Sequence, residues 1–365
     1  MVAEKMDAAR RLGRALAEDS NGAVDSVYLA GSLTAGLGNP TSDADLFVLV
    51  NPGAETDADD VTQYNVDGHR VDVERYSLAN VEEQVERIIT FELRRDGLTE
   101  LHKLAEPLDF VLRLRTSETV VDSAVLSRLK KRVAGSLAAV QRTAINHAAI
   151  GVNGHLEDFL GAAAEGDLDT AAFAGQELVA YAGKAVAGAS GDLYFSNKWV
   201  YKQLARTAVE GFPMEAFTAY QRGLWTEGGT DEAESLVRFV QTCVCVSQLL
   251  GAAGVPLGAW PSWTPDASPT QGLWRNPSYN VLTTTDGVLL HWELHRQLLL
   301  KEPAAYVWAL CDGRTEKDIV VSVEHLATQV PSLAALDSAR IASILASLRH
   351  KSLVATEPYH VLGMV

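Results

Sequence analysis

The sharpest chemistry in this 365-residue chain lies in a few acidic side chains and a Gly-Ser pair. Asp43 and Asp45 stand one residue apart, at the head of the apolar run Leu46-Phe47-Val48-Leu49-Val50. On a strand they share a face, roughly 6.5–7 Å apart along the backbone. Carboxylates at the edge of a core are costly unless something positive meets them. Asp72 and Glu74 occupy a second alternating run, Val71-Asp72-Val73-Glu74, with the valines pointing one way and the acids the other. Carboxylates from two neighbouring strands are the hard oxygen donors that Mg²⁺ takes, with room left for substrate phosphates. Such a site serves in-line displacement at phosphorus. Gly31 lets the backbone approach a phosphate, and Ser32 offers its hydroxyl and amide to the same group.

These groups need strands to aim them. A helix over 4–18 precedes a short strand over 23–31 that ends at Gly31. Residues 32–41 hold glycines and a proline, so they read as a loop with room for one helical turn. The strand carrying Asp43 and Asp45 stops at Asn51-Pro52-Gly53. Asp67-Gly68 predicts a hairpin turn between two alternating runs. Ser77 is the expected N-cap of a following helix in 78–97. From 126 to 254 long Ala/Leu/Val-rich stretches at helical spacing predict a bundle of five helices. Residues 255–279 carry five prolines and three tryptophans and read as a connection that packs on something. Beyond 280, Asp286-Gly287 marks another turn between strand-like runs. A helix, the turn Cys311-Asp312-Gly313, a second helix capped by Thr315 and a third helix running into Leu353-Val354 follow.

Bulk properties limit the field. The formal net charge is −16, which argues against a protein whose main task is gripping nucleic acid. Cys243, Cys245 and Cys311 make no disulfide framework and read as buried thiols in a reducing compartment. The N-terminal segment lacks the apolar core of a signal peptide, and no stretch has the length of a membrane helix. A cytoplasmic protein without membrane or nucleic-acid partners is expected. His147 and His155 read as histidines of the bundle.

Gly31-Ser32, Asp43-Ala44-Asp45-Leu46 and Val71-Asp72-Val73 together resemble the polymerase-β-type nucleotidyltransferase superfamily over roughly residues 1–115. The resemblance implies transfer of a nucleoside monophosphate from an NTP, with pyrophosphate released. It implies Gly31 and Ser32 at phosphate, and Asp43, Asp45 and Asp72 at metal. Glu74, two residues on and on the same face, stays open as the third carboxylate. Tyr181-Ala182-Gly183-Lys184 resembles a motif on the helices of kanamycin nucleotidyltransferase, which implies that Lys184 faces the triphosphate. That family's base lies four residues earlier, where this chain has Ala180. Glu177, on the same helical face as Lys184, is an alternative base, and Asp72 is another. Lys198, at the start of a helix in Asn197-Lys198-Trp199, is a further candidate for phosphate.

The C-terminal pattern over about 280–356 is similar to the PqqD-like fold, a small winged-helix unit. The similarity implies a recognition element for the leader of a ribosomally made precursor peptide, which adds a strand to a sheet edge.

The expected architecture is therefore α+β. A nucleotidyltransferase α/β domain with a mixed sheet fills 1–120, and a helical bundle completing the site fills 121–255. A Pro/Trp-rich linker covers 256–279, and a winged-helix PqqD-like domain covers 280–365. The expected enzyme uses Mg²⁺ and ATP or another NTP and moves an NMP, AMP first, to a precursor peptide. Alternatives are modification of a small hydroxylated molecule, or a non-catalytic protein that presents a peptide.

Overall fold

The computed structural model describes residues 2–53, 61–265, 271–292 and 296–359. Parts of the expected linker (266–270) and of the expected C-terminal domain (293–295 and 360–365) lie outside the described residues. By packing, the chain forms two compact units, Met1–Phe91 with Lys103–Val140, and Glu92–His102 with Gln141–Val365.

The chain opens with α1 (Val2–Glu18), β1 (Val24–Ala30), β2 (Ala44–Val50), β3 (Thr62–Val66), β4 (His69–Ser77) and α2 (Leu78–Ile89). Next come α3 (Leu98–His102), α4 (Ala105–Arg115), β5 (Glu118–Val121) and α5 (Ala124–Gly135). All but α3 build the first unit. Its five-stranded sheet has the order β3-β4-β2-β1-β5. The β2–β4 pairing is parallel and the others are antiparallel, so the sheet is mixed as expected.

Period-two alternation gives this sheet two different faces. Val27, Leu29, Leu46, Val48, Val71 and Val73 form an aliphatic core with Met6 and Ala9 of α1. The opposite face carries Tyr28, Phe47 and Tyr76, whose rings stack at 5.1 and 5.9 Å, and Phe110 of α4 meets Tyr76 edge-on at 5.1 Å. The carboxylates continue this second face toward the head of β2.

Local signals act where the sequence places them. Asp67 and Gly68 both take positive φ, the conformation of a tight hairpin turn, between β3 and β4. The Ser77 side chain accepts the Asn80 N–H at 3.2 Å and starts α2. That helix stops at Thr90 rather than running on to Gly97. Residues 98–121, without an assignment from sequence, supply two helices and an edge strand.

The second unit contains α6 (Leu137–Glu165, shared with the end of the first), α7 (Leu168–Ala189), α8 (Val200–Thr207), α9 (Met214–Gln221) and α10 (Gly229–Val246). It continues with β6 (Trp274–Arg275), β7 (Asn280–Thr284), β8 (Gly287–Trp292), β9 (Arg296–Leu300), α11 (Glu302–Ala309), α12 (Glu316–Leu326), α13 (Ser338–His350) and β10 (Val354–Ala355). Strands β7, β8 and β9 form an antiparallel sheet, and β6 pairs with β10. Thr315 caps α12 with a reciprocal capping box through Asp318.

The helical and C-terminal residues fall in one unit because buried polar groups tie them together. Arg275 of β6 donates to Gln241 Oε1 (2.6 Å) and Thr242 Oγ1 (2.5 Å) of α10, and to the Ala309 carbonyl of α11. Gln241 in turn donates to the carbonyls of Asn276 (3.0 Å) and Tyr279 (2.7 Å). Tyr306 of α11 donates to Leu249 O at 2.8 Å. In the Pro-rich stretch, Trp260, Trp263 and Trp274 are buried, so these rings anchor it against the protein. The three cysteines are free and buried, and burial pushes their thiols up, Cys245 to about 11. Among the described residues no helix is long and apolar enough to cross a membrane.

Candidate active site

The site begins where β1 ends. Gly31 turns the chain with φ +86°, a conformation that favours glycine. A Cβ at this position would land on the Asp45 carboxylate. The chain then winds through one tight turn. The Gly31 carbonyl accepts Ala35 N at 3.1 Å and Thr34 Oγ1 at 3.0 Å, and the Ser32 carbonyl accepts Leu37 N and Gly38 N at 2.9 and 2.7 Å.

The return to β2 is also fixed. The Asn39 side-chain oxygen accepts Thr41 N (3.0 Å) and Thr41 Oγ1 (2.8 Å). Lys5 of α1 donates to the carbonyls of Ser42 (2.5 Å) and Pro40 (3.3 Å). Asp43 follows at once, one residue before β2.

Asp45 lies in mid-sheet, beside Ala30 of β1 and, in the parallel pairing, beside Asp72 of β4. Burial raises its carboxyl from 3.8 to about 7. Arg113 opposes that shift, and the charges of Glu74, Asp72 and Asp43 add to it. Asp72 Oδ1 is buried and accepts no hydrogen bond. Arg70, two residues earlier on β4, reaches Asp43 Oδ2 at 2.5 Å and Asp72 at 3.4 Å.

Glu74 is placed differently. It pairs with Phe47 in the β2–β4 register, one step deeper than Asp72. Its carboxylate accepts the Tyr76 hydroxyl at 2.8 Å and lies 3.6 Å from Arg113. Arg113 of α4 also donates to Asp109 at 2.9 Å. Burial, with Glu74 second, pushes the Tyr76 phenol up, so it stays a donor to Glu74.

The donor chemistry suits a hard cation: oxygen ligands only, one buried carboxylate oxygen without a hydrogen bond, and a glycine that lets the backbone close on the Asp45 carboxylate. Among the described residues no three His, Cys, Asp or Glu side chains already stand in a metal-holding arrangement. Arg70 occupies the space between Asp43 and Asp72 with its own charge.

A Gly-Ser turn closed on a strand-borne Asp-x-Asp, with a third carboxylate in register beside it, directs attention to one family. Residues 9–104 match the family model of the nucleotidyltransferase domain. The matched stretch runs from within α1 to just short of α4 and includes Gly31, Ser32, Asp43, Asp45 and Asp72. Domains of this family move a nucleoside monophosphate from an NTP. No curated protein matches the chain.

The remaining candidates belong to the second unit. Lys184 of α7 is buried, and its ammonium donates to the Tyr194 carbonyl and to Gln203 Oε1 at 2.6 Å. Gln203 also donates to the Asp192 carbonyl at 2.9 Å. Lys184 thus anchors the loop after α7, and the phosphate contact expected for it would require leaving these bonds. Glu177 accepts Asn197 Nδ2 at 3.2 Å, and the Tyr181 ring stacks on that of His155 at 5.3 Å. Lys198 is exposed, with its ammonium 4.9 Å from the Trp199 ring centre. His147 packs on Phe195, and burial lowers it to about 4, which suits a neutral bundle histidine.

Lys5, Arg70 and Arg113 were not singled out from sequence. Arg70 did carry a signal: the alternation that puts Asp72 and Glu74 on one face puts Arg70 there too. Lys5 and Arg113 reach the site from helices, and only the packing of α1 and α4 on the sheet brings them there.

Proposed function

We propose that this protein is a Mg²⁺-dependent nucleotidyltransferase that moves an NMP, AMP first, from an NTP to an acceptor oxygen and releases pyrophosphate. The observation that carries this reading is the Gly31 turn packed on Asp45, with Asp72 beside Asp45 in register. Asp43, Asp45 and Asp72 would hold the metal. When bound, Mg²⁺ offsets phosphate charge and supplies Lewis acidity at phosphorus. Gly31 and Ser32 present backbone to the triphosphate at a point where a side chain would collide. Asp72 is favoured over Glu74 as third carboxylate, because Asp72 stands beside Asp45 in register and meets Arg70 at 3.4 Å, while Glu74 lies one step deeper and accepts the Tyr76 hydroxyl at 2.8 Å. Asp72 or Glu177 takes the acceptor proton.

For the acceptor, the proposal is a ribosomally made precursor peptide bound by a PqqD-like C-terminal region. Its support is a three-stranded antiparallel sheet followed by three helices. Among the described residues β9 pairs only with β8, and Leu299 on it is exposed, an edge suited to strand addition. The test is mass spectrometry of candidate precursor peptides after incubation with the protein, Mg²⁺ and ATP. A gain of one NMP, lost with Asp43→Asn and weakened by Leu299→Glu, is expected. Modification of small hydroxylated molecules and of no peptide would contradict the acceptor class.

A further inference from the structure

Arg70 has no role in the chemistry derived above, yet it makes the closest ionic contact at the site. Its guanidinium lies 2.5 Å from Asp43 Oδ2 and 3.4 Å from Asp72, so it spans the two carboxylates that flank Asp45. The Arg70 side chain is half in water (52% exposed), whereas Asp72 is 14% exposed. The second guanidinium on this face, Arg113, is engaged deeper, with Glu74 and Asp109.

We propose that Arg70 is the resident counter-cation of the carboxylate site: without metal it bridges Asp43 and Asp72, and a divalent cation enters by displacing it. This rests on the reading that Asp43, Asp45 and Asp72 hold the metal. Like charges gathered on two adjacent strands repel unless a cation lies between them. Arginine fits that task because its planar fork meets two carboxylates at once and keeps its charge at any working pH. It cannot vacate the site by losing a proton, so it must swing away. Its long stem and half-exposed head make that movement cheap, since exposed pairs of this kind are individually weak. Metal affinity is then a difference, what the carboxylates gain from the metal less what they lose with Arg70.

The test titrates Mn²⁺ alone, without nucleotide, into wild type, Arg70→Gln, Arg70→Lys and Asp45→Asn by calorimetry, with melting curves of each protein with and without Mn²⁺. Arg70→Gln is expected to bind Mn²⁺ about three- to tenfold tighter than wild type. It should also melt lower without metal, and Arg70→Lys should fall between. Equal or weaker Mn²⁺ affinity in Arg70→Gln, with binding lost in Asp45→Asn, would overturn the role of Arg70 and leave the metal reading standing. Absence of Mn²⁺ binding in wild type and Arg70→Gln alike would overturn the metal reading and this inference with it.

Discussion

Gly31 lies so close against Asp45 that a single methyl group on its Cα would occupy the carboxylate. Gly31 also holds φ +86°, so Gly31→Ala combines backbone strain with a collision. The strain alone costs about 1–3 kcal/mol. Because the collision is with Asp45, activity should fall further than stability. Thermal melting and turnover of Gly31→Ala check this; a variant with wild-type turnover would show that the backbone need not close on Asp45.

The half-buried carboxyl of Asp45 makes stability depend on pH. Its carboxyl is raised from 3.8 to about 7, so between those values the folded protein holds a proton that the unfolded chain has released. Stability from this group is present in full below pH 4 and is lost as pH rises toward and through 7. Asp45→Asn removes the effect. The melting temperature of wild type minus that of Asp45→Asn, measured without metal, should therefore fall from pH 5 to pH 8. Mn²⁺ must displace the same proton, so its affinity should rise over that range. A pH-independent difference would contradict the burial of Asp45.

Lys184 separates two roles by one substitution. Lys184→Met leaves the Tyr194 carbonyl and Gln203 Oε1 without their donor, a loss of about 1–3 kcal/mol. The anchor role predicts a lower melting temperature with the KM for NTP little changed. Unchanged stability with a raised KM would restore the phosphate contact suggested by Tyr181-Ala182-Gly183-Lys184.

What could be read in advance was local. Alternation placed Asp43, Asp45 and Asp72 on one face of neighbouring strands, Gly31 stands in the turn after a strand as its place suggests, and Ser77 and Thr315 act as caps through chemistry that operates within three residues. The mixed sheet and the adjacency of the strands bearing Asp45 and Asp72 were anticipated, but the full strand order and the parallel sense of β2–β4 were not. No turn sets that parallel pairing, which follows from packing of the Val71 and Val73 face on the core. The apolar pattern of 78–97 continues past Thr90 and predicts one helix, but α2 ends there. Trp274-Arg275 read as linker because a two-residue strand has no period to detect, yet Arg275 is a hub joining β6 to α10 and α11. Lys184 sits in a legible motif, but nothing in that motif tells that residues 192–194 fold back on its ammonium.

Pyrophosphate release from Mg²⁺-ATP, with water as fallback acceptor, compared among wild type, Asp45→Asn, Asp72→Asn and Glu74→Gln, tests the carboxylate site most directly. Asp45→Asn and Asp72→Asn are expected to lose at least about a hundredfold in rate. Glu74→Gln, whose carboxylate is engaged by Tyr76 and Arg113, should keep most of it. Release unchanged in Asp45→Asn, or abolished in Glu74→Gln and spared in Asp72→Asn, would contradict the assignment.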